Sequence, residues 1–169
     1  MLGAVSLEAK RVRWARASLR PGPYAVAVPE GLPLTALVVG TDDWAIEQGA
    51  EALEGAGHDV LRCHEPGEPA FPCNALREDR TCPLDVGFDV VVTMRARPLT
   101  PPTGAEFGVI CALHGGAPLV VAGMSAKNPL EPWAVRIVAP QGDIVSACES
   151  AVGDRRAGSQ LENREGDAG

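Results

Sequence analysis

Three short apolar runs constrain this chain more than anything else in it: Thr35-Ala36-Leu37-Val38-Val39-Gly40, Phe88-Asp89-Val90-Val91-Val92-Thr93-Met94 and Pro118-Leu119-Val120-Val121-Ala122-Gly123. Each is dominated by β-branched and aliphatic residues without a regular apolar–polar alternation, so each reads as a strand buried on both faces. That is the mark of a parallel sheet with helices on either side. All are far shorter than the roughly 18 apolar residues that span a bilayer, and no apolar signal segment opens the chain, which predicts a soluble, cytoplasmic protein without membrane contact.

Helical signals alternate with these runs. Asp43 to Gly57 carries Ile46, Ala50 and Leu53 at helical spacing, with Glu47, Gln48, Glu51 and Glu54 elsewhere, after N-cap candidates Thr41 and Asp42. His58 to Cys63 supplies the second strand. Thr103 opens a helix reaching about Leu113 and closed by Gly115-Gly116. Ala134 to Val138 is the last strand, and Asp143 to Val152 the last helix, with Cys148 on its apolar face. The pattern predicts an α/β fold: a single doubly wound, parallel five-stranded sheet of flavodoxin-like layout, order 2-1-3-4-5.

Residues 34–153 are therefore expected to form the domain. Residues 1–33 read as a basic, Pro/Gly-rich extension, and residues 154–169, polar and without apolar period, as a flexible tail. The chain has 19 Gly and 15 Pro, about one residue in five where one in eight is usual, and much of that excess lies outside the strands and helices. His64 to Asp85 is a connection of about twenty residues where five is common.

Charge excludes one broad class of function. Of the net −7, the first twenty residues contribute +4 through Lys10, Arg11, Arg13, Arg16 and Arg20 against Glu8, leaving −11 for the rest. So acidic a body repels phosphate backbones, which argues against general nucleic-acid binding.

Ligands of open parallel sheets bind beyond the carboxyl ends of the strands. The loops to inspect are Gly40-Thr41-Asp42-Asp43, Cys63 to Asp85, Arg95 to Glu106, and Gly123 to Glu131. In the third, Pro102-Thr103-Gly104-Ala105-Glu106-Phe107-Gly108 places a carboxylate in the first turn of a helix. Trp44 and Trp133 flank two of these loops, as stacking surfaces or as hydrophobic lids. His114, at a helix C-terminus, complements the dipole and is assigned no chemistry.

The segments Ala36-Leu37-Val38-Val39-Gly40 with Ala52-Leu53-Glu54-Gly55-Ala56-Gly57-His58-Asp59-Val60, then Phe88-Asp89-Val90-Val91-Val92, then Thr103-Gly104-Ala105-Glu106-Phe107-Gly108 through Gly116-Ala117-Pro118-Leu119-Val120-Val121 carry a likeness. The chain resembles the nucleoside 2-deoxyribosyltransferase-like superfamily over about residues 34–152. The resemblance implies cleavage or transfer at an N-glycosidic bond, with Glu106 at the position of the nucleophilic Glu, and a homodimer. A carboxylate suits that role because it can form a glycosyl ester or stabilise an oxocarbenium-like transition state.

The chain departs from that pattern in three places. Arg95 and Arg97 stand where the family commonly has an acid, Ala117 replaces the Lys of Gly-Lys-Pro, and Thr41-Asp42-Asp43 replaces a Gly-Pro turn with an aromatic. Arg95 and Arg97 either clamp an anion, which would suit a nucleotide-like substrate, or are solvated and paired with nearby acids. Asp42 and Asp43 either hold a ribose hydroxyl or simply favour the helix start. Glu106 is catalytic, or the pocket binds its ligand without turnover, with Gly40, Thr41, Asp42, Asp43, Arg95, Arg97, Thr103 and Gly104 around it.

The cysteines frame an alternative. Cys63, Cys73, Cys82, Cys111 and Cys148 are odd in number in a chain without a secretion signal, so a disulfide framework is not expected. Cys63-His64, Cys73 and Cys82, with Cys111 as a possible fourth ligand, match no CxxC spacing, yet three thiols and an imidazole are chemically able to hold zinc or an iron–sulfur cluster. A Cys73–Cys82 redox pair, or ordinary thiols, are the other readings. On the metal or redox reading the loop orders and presents a regulatory or binding surface.

Overall fold

Parallel pairing follows from strands whose two faces are equally apolar, and the computed structural model shows five of them in the order β2-β1-β3-β4-β5, all parallel. It describes residues 33–65, 67–70, 73–76, 81–97, 101–123 and 128–166. The elements are β1 (Thr35–Gly40), α1 (Asp43–Gly55), β2 (Asp59–Arg62), α2 (Pro83–Val86), β3 (Val90–Arg95), α3 (Phe107–His114), β4 (Leu119–Gly123), β5 (Ala134–Val138) and α4 (Ile144–Gly166). This is the single-domain, flavodoxin-like α/β sheet that the apolar runs predict.

Two apolar layers hold it together. On one face Ala36, Val38, Val90, Val92, Val120 and Ala122 of the strands meet Ile46 and Leu53 of α1 and Ile144, Cys148 and Ala151 of α4. On the other, Leu37, Val39, Val91, Leu119 and Val121 pack under Val109 and Ala112 of α3. Val90, Val91 and Val92 are each wholly buried, as a central strand covered on both sides requires.

The ends of α1 and α3 are shaped locally. After α1, Gly57 has φ +88, its N–H donates to the Glu54 carbonyl (2.9 Å) and the His58 N–H donates to the Leu53 carbonyl (3.0 Å). This paired closure needs a left-handed residue, hence Gly. The same pair of bonds closes α3, from Gly116 to Leu113 and from Ala117 to Ala112.

The structure departs from the sequence expectations in several places. The tail expected from residue 154 is instead the continuation of α4 to Gly166. Ion pairs anchor its extra turns without any apolar period: Arg136 donates to Asp154, and Arg156 Nη2 lies 3.5 Å from Asp89 Oδ1. Arg95, expected in an irregular loop, is the last residue of β3. Within the long connection after β2, Asn74–Leu76 forms a 3-10 turn and Pro83–Val86 a short helix. The helix expected from Thr103 starts as a 3-10 turn, Gly104–Glu106, before α3. The basic extension lies outside the described residues except for Pro33.

Candidate functional site

At the carboxyl edge of the sheet the ends of β1, β3 and β4 lie side by side, with Gly40 in register with Met94 and Arg95 with Gly123. The approach is close. A Cβ on Gly40 would sit 2.3 Å from the Met94 carbonyl oxygen, and one on Gly123, where φ is +87, would sit 2.2 Å from the Arg95 carbonyl oxygen. Only glycine fits between these backbones.

Alternation along β3 places Thr93 and Arg95 on the α3 face, which is where Glu106 arrives from the turn before α3. Arg95 and Glu106 are each 1% exposed and form a bidentate pair: Arg95 Nε donates to Glu106 Oε1 and Nη2 to Oε2, both at 2.7 Å. Thr93 Oγ1 donates to Oε1 (3.2 Å) and the Thr103 backbone N–H to Oε2 (3.0 Å). A carboxylate offers about four lone-pair positions, and here four donors address them. Arg95 Nη2 also reaches the Pro101 carbonyl at 3.4 Å.

Burial pushes the Glu106 carboxyl up. The Arg95 and Thr103 hydrogen bonds, the Arg95 charge and the Thr93 hydroxyl outweigh it and hold the group below the usual carboxylate value, so it is ionised at neutral pH. The arrangement is a charge-satisfied buried pair. Neither oxygen of Glu106 is presented to an incoming anomeric carbon, and Arg95 is not open to an anion.

A second, more exposed group lies along the same edge. Asp42 occupies the N-cap position of α1 but makes no side-chain cap bond. Its carboxylate turns to β3 instead, where Oδ1 accepts from Arg97 Nη2 (3.1 Å) and Oδ2 from the Ala96 N–H (3.3 Å) and Thr41 Oγ1 (3.0 Å). The Arg97 side chain is 72% exposed and that of Asp42 18%. Gly40, Thr41, Asp42 and Arg97 thus form one cluster, and Thr93, Arg95, Thr103 and Glu106 the buried one beside it. Asp43 points away, accepting from the Gly67 N–H at 2.9 Å, and Gly104 is exposed at the start of its turn.

Two contributors escape sequence reasoning. Thr93 reads there as one more β-branched strand residue. Asn128, in the connection leaving β4, is 4% exposed; its Oδ1 accepts from the Leu130 N–H (2.9 Å), while Nδ2 has no hydrogen-bond partner among the described residues. An Asn between a strand-ending Gly and Pro129 is the only signal that points to it.

The proposed metal ligands are not assembled. Among the described residues no group of three or more His, Cys, Asp or Glu side chains is disposed to hold a metal ion, so Cys63, His64, Cys73, Cys82 and Cys111 do not form a tetrahedral set. All five cysteines are free thiols. Burial, together with nearby Cys82, Cys111 and Cys73, pushes the Cys63 thiol up to about 12. Its Sγ lies close against α3, 2.6 Å from where a Cβ on Gly108 would stand. These thiols share a neighbourhood without sharing ligand geometry. Cys148 is wholly buried in the core, and burial, Glu149 and Asp143 push its thiol up to about 12.

The fold and the site define a flavodoxin-like α/β domain with a buried Arg–Glu pair at the carboxyl edge of its central strand. No family model matches the chain and no curated protein matches it. Among solved structures it is similar to the response regulator StyR, described at low resolution, with 15% identity over 78% of this chain and 67% of that one and a TM-score of 0.40. Among the described residues no helix is long and apolar enough to cross a membrane.

Proposed function

We propose that this protein is a ligand-binding relative of N-glycosidic-bond enzymes that does not turn its ligand over. It takes a nucleotide-like, anionic small molecule at the carboxyl edge of the sheet. The observation that carries the reading is the Glu106 carboxylate, 1% exposed and addressed at both oxygens by Arg95, Thr93 and Thr103. A nucleophile needs a free oxygen directed at its electrophile; this one serves as a brace between β3 and the turn before α3.

Arg97 is the cation offered to a ligand. Its guanidinium is exposed and, among the described residues, held by one carboxylate, Asp42, so a phosphate can replace that carboxylate with a charge-assisted, bidentate bond. Thr41 and the backbone at Ala96 lie on the same carboxylate and become available to a sugar hydroxyl or phosphate oxygen as it shifts. The resemblance to the nucleoside 2-deoxyribosyltransferase-like superfamily supports the ligand class.

The test pairs calorimetry with chromatography on a panel of purine and pyrimidine nucleosides, their 5′-monophosphates and ribose 5-phosphate. Saturable binding of a phosphorylated member, weakened at least tenfold by Arg97→Ala and without release of free base, is the expected result. Base release by the wild type that disappears in Glu106→Gln would overturn the reading in favour of an enzyme. Failure of every phosphorylated compound to bind would overturn the ligand class.

A further inference from the structure

The five parallel strands all begin at one edge of the sheet, opposite the carboxyl edge that carries Arg95 and Glu106. α4 runs back toward that amino edge. Its later turns arrive there as Asp154, which accepts from Arg136 of β5, and Arg156, whose Nη2 lies 3.5 Å from Asp89 Oδ1 just before β3. Between those turns and the starts of β4 and β5 the packing leaves a groove of about 610 Å³, lined by Pro118, Leu119, Trp133, Val135 and Ala151 together with Arg136, Asp154 and Arg155. Leu119 and Ala151 form a buried base, 0% and 2% exposed, while among the described residues Trp133 and Val135 stay 58% and 46% exposed. Large apolar side chains standing in water beside a concave apolar base mark a contact surface.

Where the chain enters the sheet limits what can reach this groove. The described chain begins at Pro33, and Leu34 sits at the same amino edge: its carbonyl accepts from the Asp59 N–H, and the next N–H, that of Thr35, donates to Asp89 Oδ2 (2.9 Å). Asp89 thus touches both the entry to β1 and α4 at Arg156, the neighbour in sequence of Arg155 in the groove. Three strand spacings separate β1 from β5, about 15 Å. Residues 29–33 (Pro29-Glu30-Gly31-Leu32-Pro33) join position 28 to Leu34, a link that can span up to roughly 20 Å. The two prolines disfavour helix for Val28 and Leu32, the residues before them, which favours a long link over a compact one.

We propose that residues 24–28 (Tyr24-Ala25-Val26-Ala27-Val28) lie in this groove and cover Trp133 and Val135 of the same chain. They are the longest unbroken apolar run in residues 1–32 and carry no charge. In an extended stretch Tyr24, Val26 and Val28 share one side and the small Ala25 and Ala27 the other, so three large side chains meet the groove together. Tyr24 brings an apolar ring for Trp133 and a hydroxyl for the polar lining at Asp154 and Arg155. Charge acts in the same direction: residues 1–20 carry +4 and residues 21–169 carry −11, which draws the upstream chain onto the body. A second copy carries the same net −7 and is repelled at long range, whereas the five-residue tether holds the segment at an effective concentration on the order of millimolar. The groove lies at the opposite edge from Arg97, so this inference is independent of the ligand reading.

Two measurements on the full chain test it. Trp14→Phe/Trp44→Phe leaves Trp133 as the one tryptophan, and acrylamide quenching of its fluorescence reads its cover. Adding Tyr24→Ser/Val26→Ser/Val28→Ser is expected to raise the quenching constant at least twofold, at every protein concentration and with an unchanged far-ultraviolet spectrum. Reciprocally, Trp133→Ser in the otherwise unaltered chain is expected to speed chymotryptic cleavage after Tyr24, the sole tyrosine, at least tenfold. Equal quenching of Trp133 with and without the serine substitutions overturns the proposal, as does cleavage after Tyr24 that Trp133→Ser leaves unchanged. Shielding of Trp133 that falls away on dilution assigns the groove to a second copy instead, and overturns it too.

Discussion

Replacing Arg95 with Met keeps the volume of the side chain but removes the guanidinium that faces Glu106. Among the described residues the carboxylate, 1% exposed, would then retain only the Thr93 hydroxyl and the Thr103 N–H. Stranding one member of a buried ion pair costs about 3–5 kcal/mol, a large part of the 5–15 kcal/mol that holds a typical domain. Urea unfolding followed by circular dichroism at pH 7 should show a loss of that size, and thermal unfolding a fall of roughly 10 °C.

The pH dependence gives the argument its sign. In the wild type the folded-state Glu106 value lies below the unfolded one, so its stabilisation is complete above the ordinary carboxylate pKa of about 4.3 and fades as pH falls through the folded value. In Arg95→Met, burial acts with the strongest opposing hydrogen bonds gone, and the folded value moves above the unfolded one. The penalty is then full at neutral pH and shrinks as the carboxyl protonates, so the cost of the substitution should be smaller at pH 4 than at pH 7. Arg95→Met/Glu106→Gln should recover much of the loss, since no charge is left buried. A cost below about 1 kcal/mol, the worth of an exposed pair, or one that is the same at both pH values, would refute the account of this pair.

Two further outcomes follow from the same geometry. Gly123→Ala puts a Cβ 2.2 Å from the Arg95 carbonyl oxygen at φ +87 and is expected to cost at least about 3 kcal/mol, combining left-handed strain with a backbone clash; a melting temperature within a degree or two of wild type would contradict it. With Ellman's reagent at pH 8, exposed Cys111 should react first, whereas Cys63 and Cys148, whose thiols are pushed up to about 12, should react only on unfolding. Prompt reaction of all five thiols would show that the layers around β2 and α4 are looser than described.

Much of this architecture is legible in the residues. Val38-Val39, Val90-Val91-Val92 and Val120-Val121 lack alternation because both faces of their strands are covered, and a run covered on both faces has few alternatives to a parallel sheet. The Gly57 and Gly116 helix ends are legible for a local reason, since the closing bonds lie within six residues. The extent of α4 is not: beyond Val152 it has no apolar stripe, and its pairing with Arg136 and Asp89 joins residues far apart in the chain.

The site divides along the same line. Sequence by itself selected Glu106, Arg95, Arg97, Asp42 and Thr103 as residues of the carboxyl edge, because βα connections of a parallel sheet all emerge there. It left open what each one does, and only the tertiary structure decided that. Arg95 and Arg97 are two residues apart, yet Arg95 ends a central strand and faces inward onto Glu106, while Arg97 lies past the strand end with its side chain 72% exposed against Asp42. Asp42 looks like a helix cap and instead joins β1 to the end of β3. Periodicity and residue type report on local backbone and on burial averaged over a strand. Which carboxylate meets which guanidinium depends on where separate loops stop in space, and that is settled by the packing of the sheet beneath them.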